Sequence, residues 1–127
     1  MTDITRLFTR LVVSDAAGAI DFYTRAFGAV EKGERHVVDG KIVHAEVVVG
    51  PATLHLKDEG DGDPAPTTLG GTPVILGIDV TDADGVAERM IEAGATVIYP
   101  ISDTEYGMRG GRLADPYGHQ WMIHQPQ

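Results

Sequence analysis

The sequence predicts an α+β fold: two tandem βαβββ modules whose curved sheets surround a cleft. Three observations predict it. Hydrophobic periodicity reads as a strand, a helix and three strands, and the same order recurs after residue 72. The two helices end in matching tripeptides, Phe27-Gly28-Ala29 and Ala93-Gly94-Ala95. Near the end, Asp115-Pro116-Tyr117-Gly118 is turn chemistry between two strands, because proline fixes one backbone angle and glycine permits a positive one. Two copies are too few for a solenoid, so the repeat reads as a duplicated module with one shared core. A helix covers one face of each sheet and leaves the other face free to line a cleft.

Each element follows from its residues. Residues 5–13 alternate as a strand, with Leu7, Leu11 and Val13 on one face and Phe8, Arg10 and Val12 on the other. Ser14 or Asp15 caps a helix to about Phe27, whose Ala16, Ala19, Ile20, Tyr23 and Phe27 keep helical spacing. Residues 29–37 form a strand that turns at Asp39-Gly40, a hairpin signal. Residues 41–49 return, with His44 and Glu46 on one face and Ala45 and Val47 on the other. Residues 52–57 complete the first module, Leu54 and Leu56 opposing His55 and Lys57. The first module spans about 5–58. Residues 59–72 are rich in Gly, Pro, Asp and Thr and read as a mobile linker. The second module, about 73–125, has a strand at 73–80, a helix capped by Thr81 or Asp82, and strands at 95–102, about 106–114 and after Gly118. By parity, Trp121 and Ile123 face the helix, while Gln120, Met122 and His124 face away.

Composition bounds the function. The 127 residues make one domain, 1–127, able to bury a core without staples. The absence of cysteine removes disulfide, thiolate-metal and cysteine-nucleophile chemistry. The net charge of −9 repels phosphate backbones, so no nucleic-acid partner is expected. No run is long enough for a membrane span and no signal-peptide pattern opens the chain, so the expected location is the cytoplasm. The acidic run 58–63 lacks the glutamate that completes a calcium loop and reads as a solvated loop.

Val13-Ser14-Asp15 leading into Ala19-Ile20-Asp21-Phe22-Tyr23, then Ala26-Phe27-Gly28-Ala29, and finally Asp115-Pro116-Tyr117-Gly118-His119 carry a family resemblance over nearly the whole chain. The sequence resembles the vicinal oxygen chelate superfamily of glyoxalase I, extradiol dioxygenases, and fosfomycin- and bleomycin-resistance proteins. His44-Ala45-Glu46 and Gly118-His119-Gln120-Trp121 look most like its PhnB-like branch. The resemblance implies a homodimer with clefts at or near the subunit interface. In metal-dependent members it also implies four ligand positions, which fall on Phe8, His55, about Pro73 and Met122. Only His55 of these is a metal donor, whereas a catalytic site takes about three protein ligands. No metal cofactor is therefore expected, the alternative being a divalent metal on a rearranged set of His44, Glu46 and His55.

The candidate ligand-binding residues are Phe8, Arg10, His44, Glu46, His55, Tyr99, Met122 and His124; the catalytic set is open. His55 stands alone in an apolar strand, as a ligand contact or as a buried histidine bonded to a neighbour. His44 and Glu46 either serve one ligand or pair across an exposed sheet, Glu46 with a lysine or arginine. Arg10 either meets an anionic group or pairs with Glu46 or an aspartate. Phe8, Tyr99 and Met122 line the cleft or belong to the core. His119 and Asp115 read as structural, the imidazole bonding the turn backbone and the carboxyl capping the turn. Tyr106 through Gly111 is either a flexible edge or a bulged strand. The expected function is small-molecule binding in an apolar cleft, of the drug-sequestering type, without the usual metal. The alternative is a lyase, isomerase or dioxygenase with the rearranged site.

Overall fold

The computed structural model describes residues 2–127. The first module comprises β1 (Thr9–Val13), α1 (Ala16–Phe27), β2 (Val30–Glu31), β3 (His36–Val38), β4 (Lys41–Val49) and β5 (Ala52–Asp58). A short helix α2 (Pro66–Leu69) follows. The second module comprises β6 (Ile75–Asp79), α3 (Ala83–Glu92), β7 (Thr96–Asp103), β8 (Met108–Ala114) and β9 (Gln120–Pro126). The first curved sheet runs β1-β5-β4-β2, with β3 also on β4, and the second runs β6-β9-β8-β7. In each, the first strand of the module lies parallel to the last, Arg10 beside His55 and Gly77 beside Met122. No helix is long and apolar enough to cross a membrane among the described residues.

Local chemistry sets the ends of the elements. The Asp15 side chain accepts from the Gly18 amide and starts α1, and Asp82 does the same for α3 through Gly85. A second residue holds each helix start from the last strand of its module. Asp58 accepts from the Ala16 amide at 2.7 Å, and Gln125 accepts from the Ala83 amide at 2.8 Å. Asp39 and Gly40 both take positive φ, 51° and 78°, as a two-residue hairpin turn between β3 and β4 requires.

Three expectations need correction. The first strand begins at Thr9 rather than residue 5, since Leu7 is 94% exposed and has nothing to pack on. The strand expected at 29–37 is two pieces, β2 and β3, interrupted around Gly33. The linker 59–72 is a built segment. Buried Lys57 binds the Asp63 carboxylate at 2.7 Å, Glu59 accepts from the Ala65 amide and the Thr68 hydroxyl, and Pro66 starts α2. Its acids thus hold the connection in place instead of merely facing water.

The helix-covered faces of both sheets join in one core. Leu11, Val13, Val47 and Leu56 come from the first sheet, and Leu113, Trp121 and Ile123 from the second. Helices α1 and α3 pack against each other between them. Trp121 belongs to the second module, yet its ring sits 4.9 Å from Phe27 and 5.5 Å from Tyr23 of α1. Parity therefore places Trp121 correctly. Asp115 ties the same modules by polar contacts. Its Oδ2 accepts from the Tyr23 hydroxyl at 2.5 Å and Trp121 Nε1 at 3.0 Å, and its Oδ1 accepts from the amides of Tyr117 and His119. His119 Nε2 donates to the Val12 carbonyl at 2.9 Å, so it bonds the backbone of β1 and not the turn. Burial, then the Asp115 charge, raise the Tyr23 pKa well above its usual value, keeping its hydroxyl a donor.

Tyr23→Phe leaves the buried carboxylate short of one donor. It should lower the unfolding free energy by about 1–3 kcal/mol with an unchanged denaturant slope, read by urea titration of Trp121 fluorescence.

Candidate functional site

Each sheet has an uncovered face, and the candidate residues divide between them. On the first, one cross-strand row is Arg10, His55 and Glu46, with His44 two residues from Glu46 on β4. Phe8, just before β1, lies over this row, its ring stacked on His55 at 4.2 Å and 24°. That contact explains how a histidine on an uncovered face is only 7% exposed. Arg6 in turn lies 4.9 Å over the Phe8 ring.

Glu46 is the hub of this face. Its Oε2 lies 3.1 Å from His44 Nε2, and its Oε1 lies 3.5 Å from His55 Nε2. The longer approach does not satisfy hydrogen-bond geometry, and His55 Nε2 is buried without a partner. The hydrogen bond from His44 holds the Glu46 carboxyl below its ordinary pKa. Burial lowers the His55 pKa, against the raising influence of Glu46. Arg10 pairs with neither Glu46 nor an aspartate, and donates to the Val43 carbonyl at 2.8 Å.

The second sheet carries the apolar concavity. A cavity of about 430 Å³ lies over β7, β8 and β9, with Tyr99, Tyr106, Met108, Arg112, Met122 and His124 among its walls. Met122, Arg112 and Tyr99 are register partners in one cross-strand row. His124 holds Asp79 at 2.5 Å. The register of β7 against β8 shifts on both sides of Tyr99, so the extra residues lie on β7, opposite Gly111 to Leu113 and not within the 106–111 segment. Gly111 is forced by this arrangement: an added Cβ would sit 2.6 Å from the Tyr99 carbonyl and 2.9 Å from the Pro100 carbonyl carbon.

Phe8, Arg10, His44, Glu46 and His55 thus come together on one sheet, and Tyr99, Met122 and His124 on the other. None of the first five lines the cavity that the last three share. Arg112 is absent from the sequence-derived candidates, although alternation along 106–114 puts it on the face of Met108 and Gly110. The four positions implied for a metal do not fit one. Phe8 has no donor and covers His55, Met122 offers only a thioether, and Pro73 has no side-chain donor. Among the described residues, no group of three or more His, Cys, Asp or Glu side chains is arranged to hold a metal ion.

A lowered His55 pKa gives a pH signature with a defined sign. The unfolded chain takes up a proton near pH 6.5 and the folded chain does so only lower, so stability falls as pH drops below 6.5 and through the folded value. The melting temperature should fall between about pH 7.5 and about pH 5.5, and His55→Gln should flatten that fall.

The family model of the Glyoxalase/Bleomycin resistance protein/Dioxygenase superfamily matches residues 5–123. Mb0911c of Mycobacterium bovis is 46% identical over 125 residues, covering 94% of this chain and 82% of that protein. Rv0887c of Mycobacterium tuberculosis is equally identical, covering 94% and 74%. Among solved structures, TioX from Micromonospora sp. ML1 superposes with a TM-score of 0.73 at 25% identity, covering 97% of each chain. A PhnB protein from Bacillus cereus shares the fold at a TM-score of 0.72 and 18% identity, covering 95% of this chain and 99% of its own. With the duplicated βαβββ modules and the match over residues 5–123, the chain belongs to the Glyoxalase/Bleomycin resistance protein/Dioxygenase superfamily.

Proposed function

We propose that the chain binds a small, largely apolar molecule in the cavity of the second sheet, without the divalent metal used by the catalytic members of its superfamily. The observation that carries this reading is the cavity itself. Its 430 Å³ falls in the range of small-molecule sites, and its walls combine two tyrosines and two methionines with few polar groups. Aromatic faces give a flat ligand stacking partners, and thioethers adapt to its outline. The chain is proposed to act as a homodimer. The largely exposed β6 and β7 support this, Val74, Ile75, Val97 and Ile98 being open to solvent.

One observation favours a second reading, an enzyme of the lyase, isomerase or dioxygenase type. Glu46 lies between two imidazoles, and the His55 Nε2 that approaches it is buried and unsatisfied. Such a carboxylate could move a proton. The two readings differ in metal.

2-Naphthol should bind the wild-type protein and raise its melting temperature, and Met122→Ala should weaken it about tenfold, or about 1.4 kcal/mol, by titration calorimetry. Protein purified without chelator should hold no stoichiometric metal; a full equivalent that disappears in His55→Ala would move the assignment to the enzyme. Sedimentation at micromolar concentration should give a dimer, and a monomer alone would refute the assembly.

A further inference from the structure

Arg112 stands in a wall that is otherwise apolar or neutral over most of its extent. An arginine guanidinium is always charged, presents five N–H donors and accepts nothing. Some arginines of the chain have carboxylates to answer them, while Arg10 and Arg89 donate to backbone carbonyls outside this cavity. Arg109, three positions earlier, binds both Asp84 and Asp103, and Arg35 binds Glu31 through two nitrogens. Arg112 has no such partner among the described residues. Its Nη1 donates to the neutral Gln120 amide oxygen at 3.1 Å, its guanidinium carbon lies 5.7 Å from the Tyr99 ring centre, and its Nε is buried with no acceptor. A charge placed against apolar surface with donors unspent is costly unless an anion completes it.

The floor beside Arg112 has a particular shape. Gly110 occupies the same face of β8, two residues away, flanked across the strands by Ser102 and His124. It has no side chain, and backbone of β9 stands where its Cβ would be. A flat floor is therefore left between Arg112 and Met108, with Ser102 and His124 at its sides and Tyr99 and Met122 flanking Arg112 at one end. His124 spends Nδ1 on Asp79 and keeps its other ring nitrogen for a polar substituent.

We propose that this cavity is a site for aromatic carboxylates, the ring lying over Gly110 and the carboxylate received by the Arg112 guanidinium. This rests on the binding reading above and adds the charge and shape of the ligand. Arginine fits this task better than lysine because its planar fork matches the two carboxylate oxygens. The protein's net charge of −9 makes the selection local: long-range repulsion slows the anion's approach, and the unpaired guanidinium holds it once bound.

The test uses three probes of one shape on the wild-type protein: 2-naphthoate, neutral 2-naphthamide and cationic 2-naphthylmethylamine, each titrated by calorimetry at low salt. Naphthoate should bind at least tenfold more tightly than the amide, and the amine should bind weakest. Arg112→Gln should abolish the preference for the acid, bringing its affinity down to that of the amide, and Arg112→Lys should retain part of the preference. Equal binding of acid and amide by the wild type would overturn the proposal and leave the cavity reading intact. So would an equal loss of both probes in Arg112→Gln. Failure of all three probes at millimolar concentration would overturn the cavity reading and this proposal together. The wild-type comparison needs no variant, so it stands even where a substitution at Arg112 impairs folding.

Discussion

The fold depends on one buried carboxylate. Asp115 sits in a tight turn of the second module and receives four donors: a phenol from α1, an indole from β9 and two amides of its own turn. A charge there is tolerable because every direction around it is a donor. The network fixes three things at once. It closes the β8–β9 turn, orients Trp121 toward the helices, and locks α1 of the first module onto the second. Apolar packing supplies the bulk of the cohesion, each large core side chain contributing about 1.5–3 kcal/mol. Packing alone would allow the modules to slide, since it is non-directional; the Asp115 bonds and the His119 bond to Val12 select one arrangement.

That arrangement determines where chemistry can occur. Joining the modules through their helix-covered sides buries one face of each sheet in the shared core and leaves the two uncovered faces for ligands or partners. One is polar, with Glu46 between two imidazoles and Phe8 over His55. The other is apolar, with a single unpaired guanidinium among tyrosines and methionines. The duplicated module has thus kept its backbone plan in both copies while the chemistry of its free faces has diverged.

Much of this was legible in the residues, and the illegible part has a common physical origin. Alternation along a strand is local, so the faces of His55, Glu46, Met122 and Trp121 could be read directly. Capping is local too, and Asp15 and Asp82 start the helices as their positions imply. Strand ends were less legible: β1 begins only where β5 offers a partner, a fact held 45 residues away at Leu54 opposite Thr9. The segment 59–72 has linker composition, but a lysine buried beneath it turns its acids into anchors. Periodicity also says nothing about which sheet face meets which, so eight residues assigned to one cleft divide between two surfaces. Arg112 was passed over because its significance lies in what is missing around it, and an absent partner leaves no mark in a linear pattern.

The parallel pairing of the first and last strands has a consequence for how the chain acquires its shape. In each module the opening strand remains an unpaired edge until the closing strand arrives, β1 waiting for β5 and β6 for β9. Every other pairing within a module joins strands close in sequence, so the closing step carries most of the loop-closure entropy. During synthesis the first module can shut as soon as β5 has emerged. The second stays open until β9 follows, and only then can Asp115 find Tyr23 and Trp121 together. The junction between modules is therefore the final event of assembly, and a ribosome stalled before β9 would display one finished sheet beside one exposed, association-prone edge.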